Sequence, residues 1–228
     1  LKNAIDVARF NQSVPEEQKQ SIRSRLGLSE QDFVILYVGR IMEIKGVLEL
    51  MQAVIGLKDA HIKLMIMGSA NSGKWAFSSY ERKVKKLAAQ NRDRIIFTGY
   101  VDNEEVYQYA SVAHVQCLPT LVEEAAGLVL LEAMAGGLPL IVTKTGGVME
   151  YVDSDTALLI EREHVVEELQ KAILYLKAHP EVRKQMSEKA KMESRKYSEA
   201  IYFENVVKSI DDIMENNRDE KNRDHYDQ

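Results

Sequence analysis

Short unbroken apolar runs alternate with longer stretches in which apolar residues recur every three or four positions. The unbroken runs are "FVILYVG" from Phe33, "IKLMIMG" from Ile62, "RIIFTG" from Arg94, "AHVQCLP" from Ala113, "LPLIVT" from Leu138 and "TALLIE" from Thr156. They are rich in β-branched and aromatic residues and too short for buried helices, so each predicts a strand covered on both faces. Helical stretches lie between them. "SVPEEQKQSIRSRLG" carries Ser13 as a cap, Pro15 for the first turn, Glu16 and Glu17 at the positive end, and Gly27 as a stop. "KGVLELMQAVIGL" places Val47, Leu48, Leu50, Met51 and Val54 at helical spacing. Further helices are expected at Ser79–Gln90, at "NEEVYQYA" with Asn103 as cap, at "GLVLLEAMAGG", and at His164–Ala178, Pro180–Arg195 and Ser198–Asn216. Strand–helix alternation at this rhythm predicts an α/β fold with a doubly wound, Rossmann-like parallel sheet.

Such sheets bind ligands beyond the carboxyl ends of their strands, near the point where strand order reverses. Chemistry is therefore sought just after each strand, in "GRIMEIKG", "GSANSGKW", "TGYVDN" and "PTLVEEAAGLVLLE".

Composition narrows the classes. The 228 residues carry a net charge of −5, which argues against a broad nucleic-acid surface but not against one local cationic pocket. One cysteine, Cys117, excludes an internal disulfide and fits a reducing compartment. The longest apolar stretch, Ala125–Val142, is broken by Glu132, Gly136, Gly137 and Pro139 and does not read as a membrane span. "LKNAIDVARF" has neither an initiator Met nor a signal-peptide core, as if the chain were entered midway.

"GSANSGK" matches G-x-x-x-x-G-K, the start of a P-loop. That motif needs a Ser or Thr hydroxyl next, for magnesium, and here Trp75 follows Lys74. No acidic metal anchor directly follows the strands ending at Gly99 or Cys117. A polar loop with turn glycines is the simpler reading.

Arg40 and Lys45 make a stronger case. Both fall at a strand–helix junction, where a bidentate guanidinium and a flexible ammonium beside a helix N-terminus suit a pyrophosphate. Glu124 and Glu132 form E-x7-E. Glu124 is expected in the loop after a strand, Gly127 at an open helix start, and Glu132 in that helix's second turn. A carboxylate accepts from vicinal hydroxyls, so the pair suits a sugar and a ribose with phosphates between them. Paired carboxylates also serve glycosidases, but the flanking "GLVLLEAMAGG" favours a ligand at a helix terminus. His114 reads as structural, His61 and His179 as solvated, and Met65, Met67 and Met134 as core. The basic "ERKVKKL" reads as a solvated helix face.

These motifs, in this order, resemble the nucleotide-sugar-binding half of a GT-B glycosyltransferase of the retaining group 1, or family 4. "VGRIMEIKGVLELMQAV" resembles its GR-x4-KG segment, "FTGYV" its F-x-G-x-V, and "LPTLVEEAAGLVLLEAMAGGLPLIVTKTGGVMEYV" its longest motif. "NAIDVARF" resembles its interdomain linker, with Ala4 where Gly is usual. The resemblance implies that Arg40 and Lys45 bind the donor diphosphate and Glu124 the donor sugar, the three acting as catalytic residues. It implies that Glu132 holds the ribose hydroxyls, with the amides of Gly127, Leu128 and Val129 at sugar or phosphate, Tyr100 and Val101 at the base, and Gly39 among the donor-binding residues. Glu150 stands at a position that resembles a conventional family one, but it reads as ordering its own helix start.

Two departures stand out. Ala126 replaces a common aromatic, and "GSANSGKWAFSSY" lengthens a family loop, which accounts for the P-loop look-alike. The implied reaction is transfer of a hexose, a UDP-sugar being the first expectation, to an acceptor hydroxyl with retention and without a metal or other cofactor. An epimerase of the same fold and a module that only binds sugar nucleotides stay open. The resemblance further implies a linker at 1–12, a donor domain at 13–196, a helix at 197–216 that crosses back to a preceding domain, and a frayed tail at 217–228. That preceding domain would bind the acceptor glycan or glycolipid. The intact enzyme is expected in the cytoplasm, with room for peripheral attachment to the inner face of a membrane.

Overall fold

The structure is a computed structural model and describes residues 2–68, 78–123 and 127–223, the last nine of these for their backbone only. After a one-turn helix α1 (Val7–Phe10) come α2 (Glu16–Arg25), β1 (Phe33–Val38), α3 (Val47–Gly56) and β2 (Ile62–Met67). Then follow α4 (Ser79–Gln90), β3 (Ile95–Gly99), α5 (Val106–Ala110), β4 (Val115–Leu118), α6 (Leu128–Gly136), β5 (Leu140–Thr143) and β6 (Ala157–Ile160). Helices α7 (Val165–Ala178), α8 (Pro180–Ser194) and α9 (Glu199–Arg223) end the described chain.

The six strands form one parallel sheet in the order β3-β2-β1-β4-β5-β6. Strand order reverses between β1 and β4, the doubly wound arrangement expected. Strand β1 shows why unbroken apolar runs encode it. Phe33, Ile35 and Tyr37 join the core under α3, α4 and α7, while Val34 and Leu36 join the one under α1, α2, α5 and α6. Both sets are buried, so neither face has a place for a polar residue. Met65, Met67 and Met134 are core residues as expected. His114 is structural too: its Nδ1 accepts from the Val34 amide at 3.0 Å, and its ring lies 5.0 Å from that of Phe33.

Several local expectations are corrected. Ser13 does not cap α2; Pro15 is the N-cap and no side chain bonds the helix start. Pro15 has no N–H to donate and its fixed φ already suits the turn, so it displaces the hydroxyl cap. Asn103 does not cap α5, whose N-cap is Glu105 after a turn closed by the Glu105 amide on the Asp102 carbonyl, at 2.9 Å. Glu150 does not start a helix but ends a 3-10 turn, Val148–Glu150, and its carbonyl accepts from Lys2 Nζ at 2.7 Å. Helix α9 continues to Arg223, past the end expected near 216. "NRDEKNR" holds no Gly or Pro to stop it.

Candidate functional site: the strand tips at the switch point

The carboxyl ends of β1, β2 and β3 converge on a cavity of about 260 Å³ lined by Gly39, Arg40, Gly68, Tyr100 and Val101, among others. Two glycines let the tips meet. A Cβ on Gly68 would sit 1.9 Å from the Gly39 carbonyl oxygen, and Gly68 holds φ +144°. The Gly39 amide donates to the Met67 carbonyl at 3.1 Å, and the Gly68 amide to the Gly99 carbonyl at 2.8 Å. The floor is thus fixed main chain. Tyr100 stands over it, 71% exposed. The Arg40 side chain is exposed and makes no hydrogen bond or ion pair among the described residues, while its carbonyl accepts from the Tyr37 hydroxyl at 2.9 Å and the Met42 amide at 3.1 Å. The backbone at Arg40 is held and its charge is left for solvent or ligand.

A smaller cleft adjoins the cavity, sharing Val38 and Val106 with it and lined also by Gln116, Val129 and Glu132. Glu132 is half-buried in the second turn of α6, as expected. Burial pushes its carboxyl above the usual carboxylate range, opposed by the charge of Arg9 on α1. No hydrogen bond from a described residue reaches it. At the head of α6, Gly127 is the N-cap with φ −76° and no side-chain cap. Among the described residues a Cβ there would meet only Val129 Cγ1, at 3.8 Å, and the backbone conformation is one that any residue adopts. Gly127 brings no side chain over the amides of Leu128 and Val129 at the positive helix end.

Lys45 does not open α3. It lies in a 3-10 turn, Glu43–Lys45, separated from the helix by Gly46 at φ +67°. The start of α3 is also closed: the Leu48 amide donates to the Tyr80 hydroxyl of α4 at 3.2 Å. The head of α3 thus has a partner for this amide, and α6 presents the other helix terminus at the switch point. The Lys45 turn is docked on the segment entering α6. The Leu121 amide donates to the Ile44 carbonyl at 2.8 Å, and a Cβ on Gly46 would fall 2.0 Å from the Pro119 carbonyl oxygen.

Of the sequence-predicted residues, Gly39, Arg40, Tyr100 and Val101 share one cavity, and Val129 and Glu132 line the next. Gly127 and Leu128 form the helix mouth, and Lys45 stands on the adjoining turn. Glu124, Ala126, Lys74 and Trp75 lie outside the described residues.

Sequence reasoning missed Glu123. Its Oε2 accepts from the Gly146 amide at 2.6 Å and its Oε1 pairs with Arg162 at 2.7 Å. Thr143 adds a hydrogen bond from its hydroxyl to the Thr120 carbonyl at 2.6 Å. Together they tie the loops after β4, β5 and β6. The adjacent pair "EE" was the available signal, but its partners lie 23 and 39 residues away. Among the described residues no group of three or more His, Cys, Asp or Glu side chains is arranged to hold a metal ion.

Comparison with known proteins bears on the family and the fold. Residues 18–193 match the family of glycosyl transferases group 1. The lipopolysaccharide 1,2-N-acetylglucosaminetransferase of Salmonella typhimurium is 30% identical over 207 residues, covering 87% of this chain and 52% of that protein. The chain thus spans about half the length of that relative. Among solved structures, Anabaena Alr3699/HepE in complex with UDP superimposes with a TM-score of 0.82 at 18% identity, over 93% of this chain and 57% of that one. The C-terminal domain of the Francisella tularensis group 1 protein LpcC superimposes with a TM-score of 0.69 at 22% identity, over 86% of this chain and 99% of that domain. The chain belongs to the group 1 glycosyl transferases and has the fold of the C-terminal half of a GT-B enzyme.

Proposed function

We propose that this chain is the donor-binding half of a retaining glycosyltransferase that moves a hexose from a nucleoside-diphosphate sugar to an acceptor hydroxyl in glycan or polysaccharide synthesis. The observation that carries the reading is the cavity joining Gly39, Arg40, Tyr100 and Val101, next to the open head of α6. The base rests against Tyr100 and Val101 and bonds main chain. The ribose diol donates to Glu132. The diphosphate lies between Arg40, Lys45 and the amides of Leu128 and Val129, and Glu124 holds hydroxyls of the sugar. A UDP-sugar is the first donor to test. The HepE protein was solved with UDP, and that complex supports the choice.

As the sugar–phosphate bond breaks, negative charge grows on the leaving diphosphate. Arg40, Lys45 and the α6 dipole lower its energy without a metal or other cofactor. The acceptor glycan or glycolipid binds the preceding half, and α9 crosses back to pack on that half. The reading assigns no nucleic-acid partner. It places the intact enzyme in the cytoplasm, at the inner membrane face when its acceptor is a lipid.

Calorimetric titration with UDP, GDP and ADP tests donor binding. One nucleotide is expected to bind, and Arg40→Ala or Lys45→Ala to weaken it by about 10- to 100-fold. A charge-assisted hydrogen bond contributes about 1.5–3 kcal/mol, and roughly 1.4 kcal/mol is a factor of ten. Magnesium-dependent ATP binding that disappears in Lys74→Ala would overturn the reading in favour of a P-loop.

A further inference from the structure

Asn103 stands where a helix cap would and does not serve as one. The turn ahead of α5 is closed without it. The Glu105 amide donates to the Asp102 carbonyl at 2.9 Å, and the Glu104 amide to Asp102 Oδ1 at 3.4 Å. Asp102 thus supplies the side-chain bond of this turn, and Glu105 is the N-cap. The Asn103 side chain is exposed and makes no hydrogen bond or ion pair among the described residues. It lines the cavity at the strand tips, together with Gly39, Arg40, Tyr100 and Val101.

What a carboxamide can do there follows from the rest of the lining. Val38, Met67, Val101 and Val106 bring apolar side chains, and Gly39 and Gly68 bring none. The amides of these two glycines already donate to the Met67 and Gly99 carbonyls. Arg40 donates only, and Tyr100 adds a single hydroxyl at the end of its ring. Among the described residues of the lining, Asn103 is the one side chain that sets a neutral donor and a neutral acceptor side by side. A nucleobase edge has the complementary pattern. In uracil the N3–H donor stands beside the O4 acceptor. A carboxamide meets such an edge at two points, its oxygen accepting from one group while its nitrogen donates to the other.

We propose that Asn103 is a specificity-determining residue whose carboxamide reads the uracil edge of the donor nucleotide. The inference rests on the donor-binding reading given above, with UDP as the nucleotide. It adds one side chain to the main-chain contacts assigned there to the base, and so opens base choice to substitution at a single position. Asn103→Asp inverts half of the fork. It keeps an acceptor for N3–H but sets a second acceptor against O4. Guanine instead places N1–H and the N2 amino group side by side, two donors that suit a carboxylate.

The test titrates UDP, N3-methyl-UDP, GDP and ADP into the whole 228-residue chain as wild type, Asn103→Asp and Asn103→Leu. Wild type is expected to prefer UDP to GDP and ADP, and to bind N3-methyl-UDP about tenfold more weakly than UDP. Asn103→Asp is expected to weaken UDP and strengthen GDP, moving the ratio of the two affinities by about 10- to 100-fold. Asn103→Leu should weaken UDP without strengthening GDP, and the methyl group should then cost little more, since the acceptor it blocks is gone. Melting temperatures should stay near wild type, because the side chain bonds nothing among the described residues. A UDP-to-GDP ratio unmoved by Asn103→Asp overturns the proposal, as does a wild-type preference for GDP or ADP. An N3-methyl penalty of equal size in wild type and Asn103→Leu also overturns it, and leaves base readout to main chain. So does a large fall in melting temperature with all four nucleotides weakened alike, which would mean a merely structural asparagine. A wild-type chain that bound no nucleoside diphosphate would instead count against donor binding itself.

Discussion

At the residue scale, His114 shows how one buried group sets a pH limit on the fold. Burial, followed by the charges of Arg183 and Arg23, lowers its pKa from 6.5 to about 4, while the Val34 amide needs its neutral Nδ1 as acceptor. The unfolded chain protonates this histidine near pH 6.5 and the folded chain resists until about pH 4. Stability is therefore whole above pH 6.5 and falls as pH drops through that window, by roughly 2–3 kcal/mol from this group. Glu132 acts in the opposite sense. Its carboxyl is raised in the fold, so its protonation favours the folded state on the acid side. Urea unfolding at a series of pH values checks the net slope. His114→Asn offers the amide an acceptor that does not titrate, and is expected to flatten the dependence between pH 6.5 and 4. An unchanged slope would exclude His114 as its source.

Elements, unlike single contacts, were largely written in local pattern. The six strands are legible because a parallel strand buried on both faces must be an apolar run, and these runs stand between helical periods. Helix ends were less legible where tertiary structure supplies the cap. The start of α3 is closed by Tyr80, 32 residues from the amide it accepts from, and no spacing rule reaches that far. The site divides in the same way. Gly39, Arg40, Tyr100 and Glu132 sit at fixed offsets from strand or helix ends and could be read. The bonds of Glu123 to Gly146 and Arg162 exist only because three loops meet over the sheet. Gly46 belongs to both kinds, since its motif is local and its need is not. At φ +67°, with a Cβ that would strike the Pro119 carbonyl at 2.0 Å, it docks the Lys45 turn on the loop entering α6. Gly46→Ala must therefore pay both strain and a clash, and is expected to lower stability by about 2–4 kcal/mol. Thermal denaturation checks the loss. Under the proposed function, diphosphate binding measured well below the new melting temperature should also weaken, because Lys45 moves with its turn. A variant as stable as wild type would show that the turn is not held there.

The whole molecule carries an apolar stripe that its own sheet does not cover. On α9, Phe203, Val207, Ile210 and Met214 are spaced four, three and four residues apart, as on one helix face, and all four are exposed. Phe203 alone is 68% exposed. The chain spans 52% of the Salmonella relative, which leaves room for a preceding half to cover this stripe. If that half is the natural partner, the isolated chain should hide the stripe by self-association, because exposed apolar surface of this kind favours contact with any matching surface. Sedimentation velocity on the 228-residue chain is then expected to show a concentration-dependent oligomer. Phe203→Ser combined with Val207→Ser and Ile210→Ser should return it to monomer. The melting temperature should change little, since exposed positions contribute little to the core, and nucleotide binding at the strand tips should be retained. Under the proposed function, in a protein that carries both halves the same three changes should loosen them and slow sugar transfer while donor affinity persists. Unaltered transfer in that variant would mean that α9 does not hold the halves together, whatever the isolated chain does.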